Sequence, residues 1–222
     1  MPIVVSFVSQ KGGVGKSTLA RALLAVAAHV MKVRLADLDP QQGSVVAWER
    51  IRRRGSSNPL CEVIAYQSLS EALAASNDVD LLIIDTAAGT SPATADVARH
   101  SHLVVQPAGA SADDLRPAIL TFHELVKEGV PKDRLVLAVC RVLSDEEAEV
   151  ARAYVEDAGY EVLPGAIFER VAYREAQNHG RAITETKIAK LNQEADALIE
   201  ALLVKVTNEI KRRTTARKKE AS

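Results

Sequence analysis

The eight residues from Lys11 to Thr18, with the sequence KGGVGKST, constrain the fold more than any other part of the chain. They follow an apolar run at residues 3–8 and precede a segment rich in alanine and leucine. A strand, a glycine-rich loop and a helix in this order form a cradle for phosphate groups. Glycines let backbone N–H groups point at anionic oxygens, and the helix N-terminus adds its partial positive charge. The segment therefore predicts a nucleoside triphosphate site.

The lysines and the hydroxyl of this loop have separate expected roles. Lys16 neutralises the β- and γ-phosphates, and Ser17 supplies a hydroxyl ligand for Mg²⁺. Gln10 stands where the usual motif has its first glycine, so the match is to a variant with a second lysine, Lys11, at the head of the loop. The expected nucleotide ligands of the loop are Lys11, Gly12, Gly13, Val14, Gly15, Lys16, Ser17 and Thr18.

This variant loop resembles the deviant Walker motif of the ParA/MinD family of ATPases, and Gln10 before Lys11 is more similar to the ParA branch. The resemblance implies that ATP and Mg²⁺ are the ligands and that the ATP-bound chain forms a sandwich homodimer. It also implies that Lys11 reaches the partner's phosphates and that Lys11 and Lys16 both serve catalysis. The alternative is a solvated lysine at the mouth of a loop.

Alternating strands and helices predict an α/β fold, P-loop NTPase-like, with a mostly parallel twisted sheet and helices on both faces. Right-handed crossovers then bring the carboxyl ends of the strands to one edge, where such folds bind ligands. Strands are expected at residues 3–9, 33–36, 61–66, 80–84, 102–106, 135–139 and 161–163. Helices are expected at residues 17–31, 44–54, 68–76, 91–100, 113–128, 145–158, 171–178 and 187–211.

Two aspartates follow the second expected strand. Asp37 and Asp39 are two residues apart, so on an extended strand both would face the same side. The segment resembles the D-x-D-P-Q switch of the ParA/MinD family. The resemblance implies that Asp39 positions or polarises the attacking water and that Asp37 supports the water shell of Mg²⁺. A polar turn with two solvated acids is the alternative.

A second acidic strand end is expected at Asp85. Four apolar residues precede it, which is the pattern of a Walker B strand whose carboxylate is exposed at the tip near Mg²⁺. The expected metal residues are therefore Ser17, Asp37 and Asp85, partly through water. Residues 86–89 resemble the second switch of the family, with Ala87 in place of its usual proline.

The resemblance extends to about residue 205, but its strong motifs lie in the first ninety residues. Ser111 and Asp114 lie in a segment similar to the entry into the interface helix of ParA proteins. Residues 168–176 resemble the loop and helix near the nucleotide base, which assigns Arg170 to the nucleotide. Cys140 stands where the family often has an asparagine that reads adenine, and a thiol is a weak hydrogen-bond partner. Base recognition is therefore expected from backbone groups.

Composition limits the architecture. With 222 residues and 47% hydrophobic content, the chain is expected to form one domain over residues 1–210, followed by a basic tail at 211–222. It has no apolar run long enough to span a membrane and only two cysteines, and because the first strand begins within three residues we expect no signal peptide. A bacterial cytoplasmic location is expected. The histidines show no spacing typical of a transition-metal site, and Trp48 is expected to pack in the core.

The C-terminal part is basic although the net charge is only −1. From residue 205 onward there are seven basic and two acidic residues, which predicts contact with a polyanion. A solvated helix end whose cations suit the helix dipole is the alternative. The expected DNA-binding residues are Lys211, Arg212, Arg213, Arg217, Lys218 and Lys219, with Arg181 and Lys187 as the next candidates.

Three functions share such a site. The first is a ParA-type ATPase for plasmid or chromosome partition, weak alone, which binds nonspecific double-stranded DNA on the nucleoid and is stimulated by a centromere-binding, ParB-like adaptor. The second is a MinD-like ATPase on a membrane surface, without stable insertion. The third is a metabolic phosphotransferase or synthetase. The apolar stripe of the last expected helix favours core packing over a membrane anchor; it comprises Leu198, Ile199, Leu202, Leu203, Val206 and Ile210.

Overall fold

Eight parallel strands form the sheet in the computed structural model, which describes residues 1–55, 57–89 and 92–220, with side chains up to residue 215. The strand order is β3-β2-β4-β1-β5-β6-β7, and β8 pairs with β6. The strands are β1 Ile3–Phe7, β2 Val33–Asp37, β3 Glu62–Ala65, β4 Leu81–Asp85, β5 Leu103–Ala108, β6 Leu135–Val142, β7 Glu161–Val162 and β8 Ile167–Phe168.

Helices cover both faces of this sheet. The alternation of β1 divides the core, because Val5 and Phe7 join the cluster under α1 and α8 while Val4 and Val8 join clusters on the other face. Residues of α1, α2, α7 and α8 pack on the first face, and residues of α3 to α6 on the second. The helices are α1 Lys16–Ala27, α2 Ser44–Arg54, α3 Leu69–Ala74, α4 Pro92–His100, α5 Ala112–Lys127, α6 Asp145–Asp157, α7 Val171–Asn178 and α8 Ala189–Glu220.

The expected α/β architecture is confirmed, with two differences in its elements. The sequence pattern missed β8, because two residues after a glycine turn are too short to show a strand period. The last helix was expected to end at residue 211 but α8 continues to Glu220, since its basic end is rich in arginine and lysine, which favour helix. The expected start of α4 at residue 91 lies outside the described residues.

The apolar stripe of α8 is core, as predicted. Leu198, Ile199, Leu202 and Val206 are fully buried against the cluster that contains α1, and each contributes about 2 kcal/mol by burial. Trp48 on α2 is also buried, which confirms its predicted packing role. Among the described residues no helix has both the length and the apolar content needed to cross a bilayer.

Candidate functional site

A cavity of about 530 Å³ opens at the carboxyl edge of the sheet, a volume typical of small-molecule sites. The P-loop supplies one wall, and Asp39, Asp85 and Arg170 also line the cavity. The predicted loop residues in the lining are Gly12, Gly13, Gly15, Lys16, Ser17 and Thr18. Lys11 and Val14 are not in this lining but beside a small neighbouring cleft.

The P-loop is shaped by glycine and ends at a helix N-terminus. Gly15 has φ 117° and packs against Cys140, where a side chain would be strained. α1 begins at Lys16 and its first N–H groups receive no side-chain cap, so they are available to a phosphate. Burial lowers the pKa of Lys16, while Asp85 and Asp39 raise it. Its Nζ atom donates to the carbonyl oxygen of Lys11 at 3.4 Å.

Two buried carboxylates lie at the ends of the adjacent strands β2 and β4, close to Ser17 of the loop. Asp37 of β2 and Asp85 of β4 occupy paired positions and are 1% and 2% exposed. Burial raises the pKa of Asp85 to about 6; the Ser17 hydroxyl opposes this rise, and the charge of Asp37 adds to it. Burial also raises the pKa of Asp37. The expectation of an exposed Asp85 is wrong, because Phe7 and Asp37 flank it in register on both sides.

The same carboxylates fit Mg²⁺. Asp37 Oδ2 and Asp85 Oδ1 are buried and lack hydrogen-bond partners. Burial of an unpaired carboxylate oxygen costs free energy unless a cation or a water bound to it contacts that oxygen. The Ser17 hydroxyl accepts a hydrogen bond from Ser44 at 3.3 Å. Within the described residues no group of three or more His, Cys, Asp or Glu could hold a metal. Mg²⁺ is usually bound by one or two carboxylates together with water and substrate phosphates, and Asp37 and Asp85 provide two buried carboxylates.

The two aspartates of the first switch have different positions. β2 ends at Asp37, so strand alternation does not extend to Asp39, and of the two only Asp39 lines the cavity. The backbone N–H of Asp39 donates to Asp37 Oδ1 at 2.9 Å. The half-buried Asp39 carboxylate accepts from the N–H of Gln42 at 3.3 Å. The Asp39 carboxylate therefore lies where a general base or a group that orders water would be needed. Its role in hydrolysis remains a prediction.

Sequence reasoning missed a polar network that joins α1 to α7 and α2. Arg21 donates to Gln177 Oε1 at 3.0 Å, and Thr18 donates to the same oxygen at 3.2 Å. A second nitrogen of Arg21 donates to the Ser44 carbonyl oxygen at 2.8 Å. No motif links residues 156 positions apart. The available signal was Arg21 itself, a charged residue within the apolar helix that follows the loop.

Lys11 contacts a residue that the nucleotide motif does not include. Its ammonium lies 2.7 Å from Asp114 Oδ1 on α5, and its side chain is 42% exposed. Ser111 donates to the other oxygen of Asp114 at 2.8 Å. Partial burial raises the pKa of Asp114, but the hydrogen bonds from Lys11 and Ser111 outweigh it and leave that pKa lowered. Asp114 is therefore ionised at neutral pH and holds Lys11 at the rim.

The remaining cavity wall combines β6, β8 and α7. Burial raises the pKa of Cys140 to about 12, so it is a neutral thiol. Arg141 has φ 59°, which is uncommon for a residue with a side chain, and donates to the Gly13 carbonyl oxygen at 3.2 Å. The guanidinium of Arg170 lies 4.8 Å from the ring of Phe168. These groups provide apolar surface and cations for the part of a bound nucleotide that lies beyond its phosphates.

The basic end of α8 lies away from the cavity. Arg213 donates to the Pro2 carbonyl oxygen at 3.0 Å, which locates this helix end at the amino edge of the sheet. Arg212 lies 3.5 Å from Glu209, and Lys211 is exposed. The side chains of Arg217, Lys218 and Lys219 lie outside the described residues. The predicted DNA-binding residues and the nucleotide cavity are thus at opposite edges.

Comparison with known families gives one match over most of the chain. The sequence model of the protein family described as "CobQ/CobB/MinD/ParA nucleotide binding domain" matches residues 5–183. A curated relative from Gloeobacter kilaueensis, "Maintenance of carboxysome distribution protein A", is 31% identical over 200 residues, 88% of this chain and 90% of the relative.

Two solved structures share the fold. One, from Borrelia burgdorferi, is described as a plasmid partition protein bound to AMPPNP; it has a TM-score of 0.73 and 17% identity, and covers 92% of this chain and all of its own. The other is the septum site-determining protein MinD of Pyrococcus horikoshii with Mg-ADP, with a TM-score of 0.71 and 17% identity over 91% of this chain and 96% of its own.

Proposed function

Because the chain belongs to the CobQ/CobB/MinD/ParA nucleotide-binding family, we propose that it is a ParA-type ATPase for DNA partition. The chain is an ATPase whose ligands are ATP and Mg²⁺, and its relatives include proteins named for carboxysome distribution, plasmid partition and septum-site determination. The finer proposal is a cycle: the ATP-bound homodimer binds nonspecific double-stranded DNA on the bacterial nucleoid. A ParB-like adaptor then stimulates an otherwise weak hydrolysis and releases the DNA.

The position of Lys11 is the observation that carries this proposal. Lys11 heads the P-loop but does not line the cavity of its own chain, and its ammonium is held at the rim by Asp114. A lysine needed only for its own nucleotide would lie beside Lys16 inside the cavity. An exposed cation at the rim supports contact with the phosphates of a second subunit, where a charge-assisted hydrogen bond forms only after dimerisation.

The basic end of α8 supports the proposed DNA contact. Lys211 is exposed, and the ion pair of the exposed Arg212 among the described residues is with Glu209 at 3.5 Å. Because this end is remote from the cavity, cations there have no task in nucleotide binding. Two such ends in one dimer would add their weak phosphate contacts to give avid binding to long DNA.

The test compares the unmodified protein with Lys11→Ala on long random-sequence DNA, with ATP, with ADP and without nucleotide. We expect DNA binding only with ATP and Mg²⁺, and its loss in Lys11→Ala together with the ATP-dependent dimer, while nucleotide binding by the monomer remains. Lys127→Ala, which removes an exposed lysine from α5 on the other face of the sheet, is the control. ATP-dependent attachment to anionic vesicles without any DNA binding would instead support a MinD-like function.

A further inference from the structure

Four arginines stand near the end of α2, and one of them is structural. Arg52 is 1% exposed, and its guanidinium binds both oxygens of Glu185 at 2.6 and 2.7 Å. The guanidinium also donates to the carbonyl oxygen of Gly180. The backbones of the two residues are so close that a Cβ atom on residue 180 would lie 2.2 Å from the backbone nitrogen of Arg52. Arg52 therefore fixes α2 to the segment after α7 and is unavailable to a ligand.

The other three, Arg50, Arg53 and Arg54, are exposed on the outer face of α2 and form what we call the α2 arginine stripe. Arg53 is paired with Glu49 at 2.7 Å. Within the described residues, neither Arg50 nor Arg54 has an acidic partner at ion-pair distance. These two are one helical turn apart, so their side chains leave the same face about 5–6 Å from one another. The helix dipole does not account for Arg50, because that effect is confined to the last turn.

We propose that the α2 arginine stripe binds the phosphate backbone of double-stranded DNA; this proposal rests on the proposed function and names a surface for it. Guanidinium groups match phosphate oxygens with two parallel hydrogen bonds. The stripe contains no aromatic residue on which an unpaired base could stack, so it fits duplex better than single-stranded nucleic acid. Ile51 is the exposed large apolar residue at this end of α2. One such side chain does not form the broad apolar face by which a helix lies on a membrane surface.

The opposite end of α2 contacts the nucleotide site. α2 begins at Ser44, whose carbonyl oxygen accepts from Arg21 and whose hydroxyl donates to Ser17. An eleven-residue helix spans about 16 Å, so one rigid element joins the first switch to the stripe. A change at the switch that moved the start of α2 would therefore be transmitted along the helix to the stripe. This coupling gives the stripe the nucleotide dependence that the proposed cycle requires.

The stripe also shares an edge of the sheet with the end of α8. α2 follows the carboxyl end of β2 and returns to the amino end of β3, and Arg213 contacts Pro2 before the amino end of β1. β2 and β1 are separated only by β4, which corresponds to about 10 Å at the usual strand spacing. The two basic ends thus lie at the same edge of the sheet, and α2 and α8 pack on the same face.

The test variant is Arg50→Gln/Arg54→Gln, which leaves the pair of Arg53 and Glu49 intact. The control is Lys127→Gln/Lys132→Gln, which removes two exposed cations from the other side of the sheet. With ATP and Mg²⁺, we expect the test variant to bind random-sequence duplex about tenfold more weakly or worse, and the salt dependence to fall by about one unit of slope per arginine removed. The control should bind like the unmodified protein, and all three should hydrolyse ATP and dimerise equally.

Three results overturn the proposal and are distinguishable. DNA binding that survives in the test variant but is lost when the six basic residues of the α8 end are replaced by glutamine rejects the stripe and keeps the proposed function. No duplex binding by the unmodified protein, despite an ATP-dependent dimer, rejects both. Loss of attachment to anionic vesicles with unchanged duplex binding assigns the stripe to a membrane instead of DNA.

Discussion

The ammonium of Lys11 lies 2.7 Å from the carboxylate of Asp114 in the same protomer. The lysine that would serve a partner's nucleotide is therefore held by its own chain. Gly109 makes room for this contact, because a Cβ atom there would lie 2.5 Å from Asp114 Oδ2. Formation of the proposed sandwich dimer must break the pair before Lys11 can reach a second phosphate group.

Asp114→Asn should therefore favour the ATP-dependent dimer. Removing the carboxylate charge frees Lys11, and a homodimer would break two such pairs. Since exposed ion pairs contribute at most about 1 kcal/mol each, the dimer dissociation constant should fall about two- to thirtyfold. Sedimentation with ATP and Mg²⁺ measures this, with Asp113→Asn as a control that removes a neighbouring exposed acid. An unchanged or weaker dimer in Asp114→Asn would show that the pair does not compete with dimerisation.

Lys16→Ala should abolish binding of Mg·ATP. Lys16 lines the cavity together with Asp85 and Asp39, and no other lysine lines that cavity in the described part of the chain. Its loss removes a charge-assisted contact to the phosphates and leaves Arg21 as the remaining cation that acts on Asp85. Calorimetric titration with Mg·ATP measures the effect. Near-normal affinity would contradict the assigned site.

Asp39→Ala should separate hydrolysis from binding. Because Asp39 lines the cavity but neither shapes the cradle nor belongs to the buried carboxylate pair, ATP should still bind and the dimer should accumulate. Turnover should fall by about 10²-fold or more, as for loss of a group that orders or deprotonates the attacking water. Gln42→Ala is a control on the same loop. Undiminished turnover in Asp39→Ala would assign the catalytic role to another residue.

Asp85→Asn should stabilise the nucleotide-free protein at neutral pH. Burial raises the pKa of Asp85 from 3.8 to about 6, so the folded chain binds this proton more tightly than the unfolded chain. The free energy of unfolding therefore falls as pH rises from about 4 to about 6, by at most about 3 kcal/mol. Asparagine carries no charge to desolvate, so the variant should melt several degrees higher near pH 7.5 and like the unmodified protein near pH 4.

Mg·ATP provides the control for that experiment. Asparagine offers a weaker oxygen ligand than a carboxylate, so Mg·ATP should stabilise the variant less than the unmodified protein. A variant that melts lower without nucleotide near pH 7.5 would show that the ionised Asp85 is already compensated by Lys16 and Arg21.

The sequence alone determined the order of strands and helices, the phosphate cradle and the family, because each is encoded locally. A glycine-rich loop between an apolar strand and an apolar helix can adopt few conformations other than a phosphate cradle. The helical period of the apolar residues in α8 predicted which of its faces is buried. The tertiary structure decided which distant groups meet. Parallel pairing buries Asp85 beside Asp37, packing joins Arg21 to Gln177, and α5 brings Asp114 to Lys11. These contacts depend on strand register and helix placement across long loops, which no spacing along the chain records.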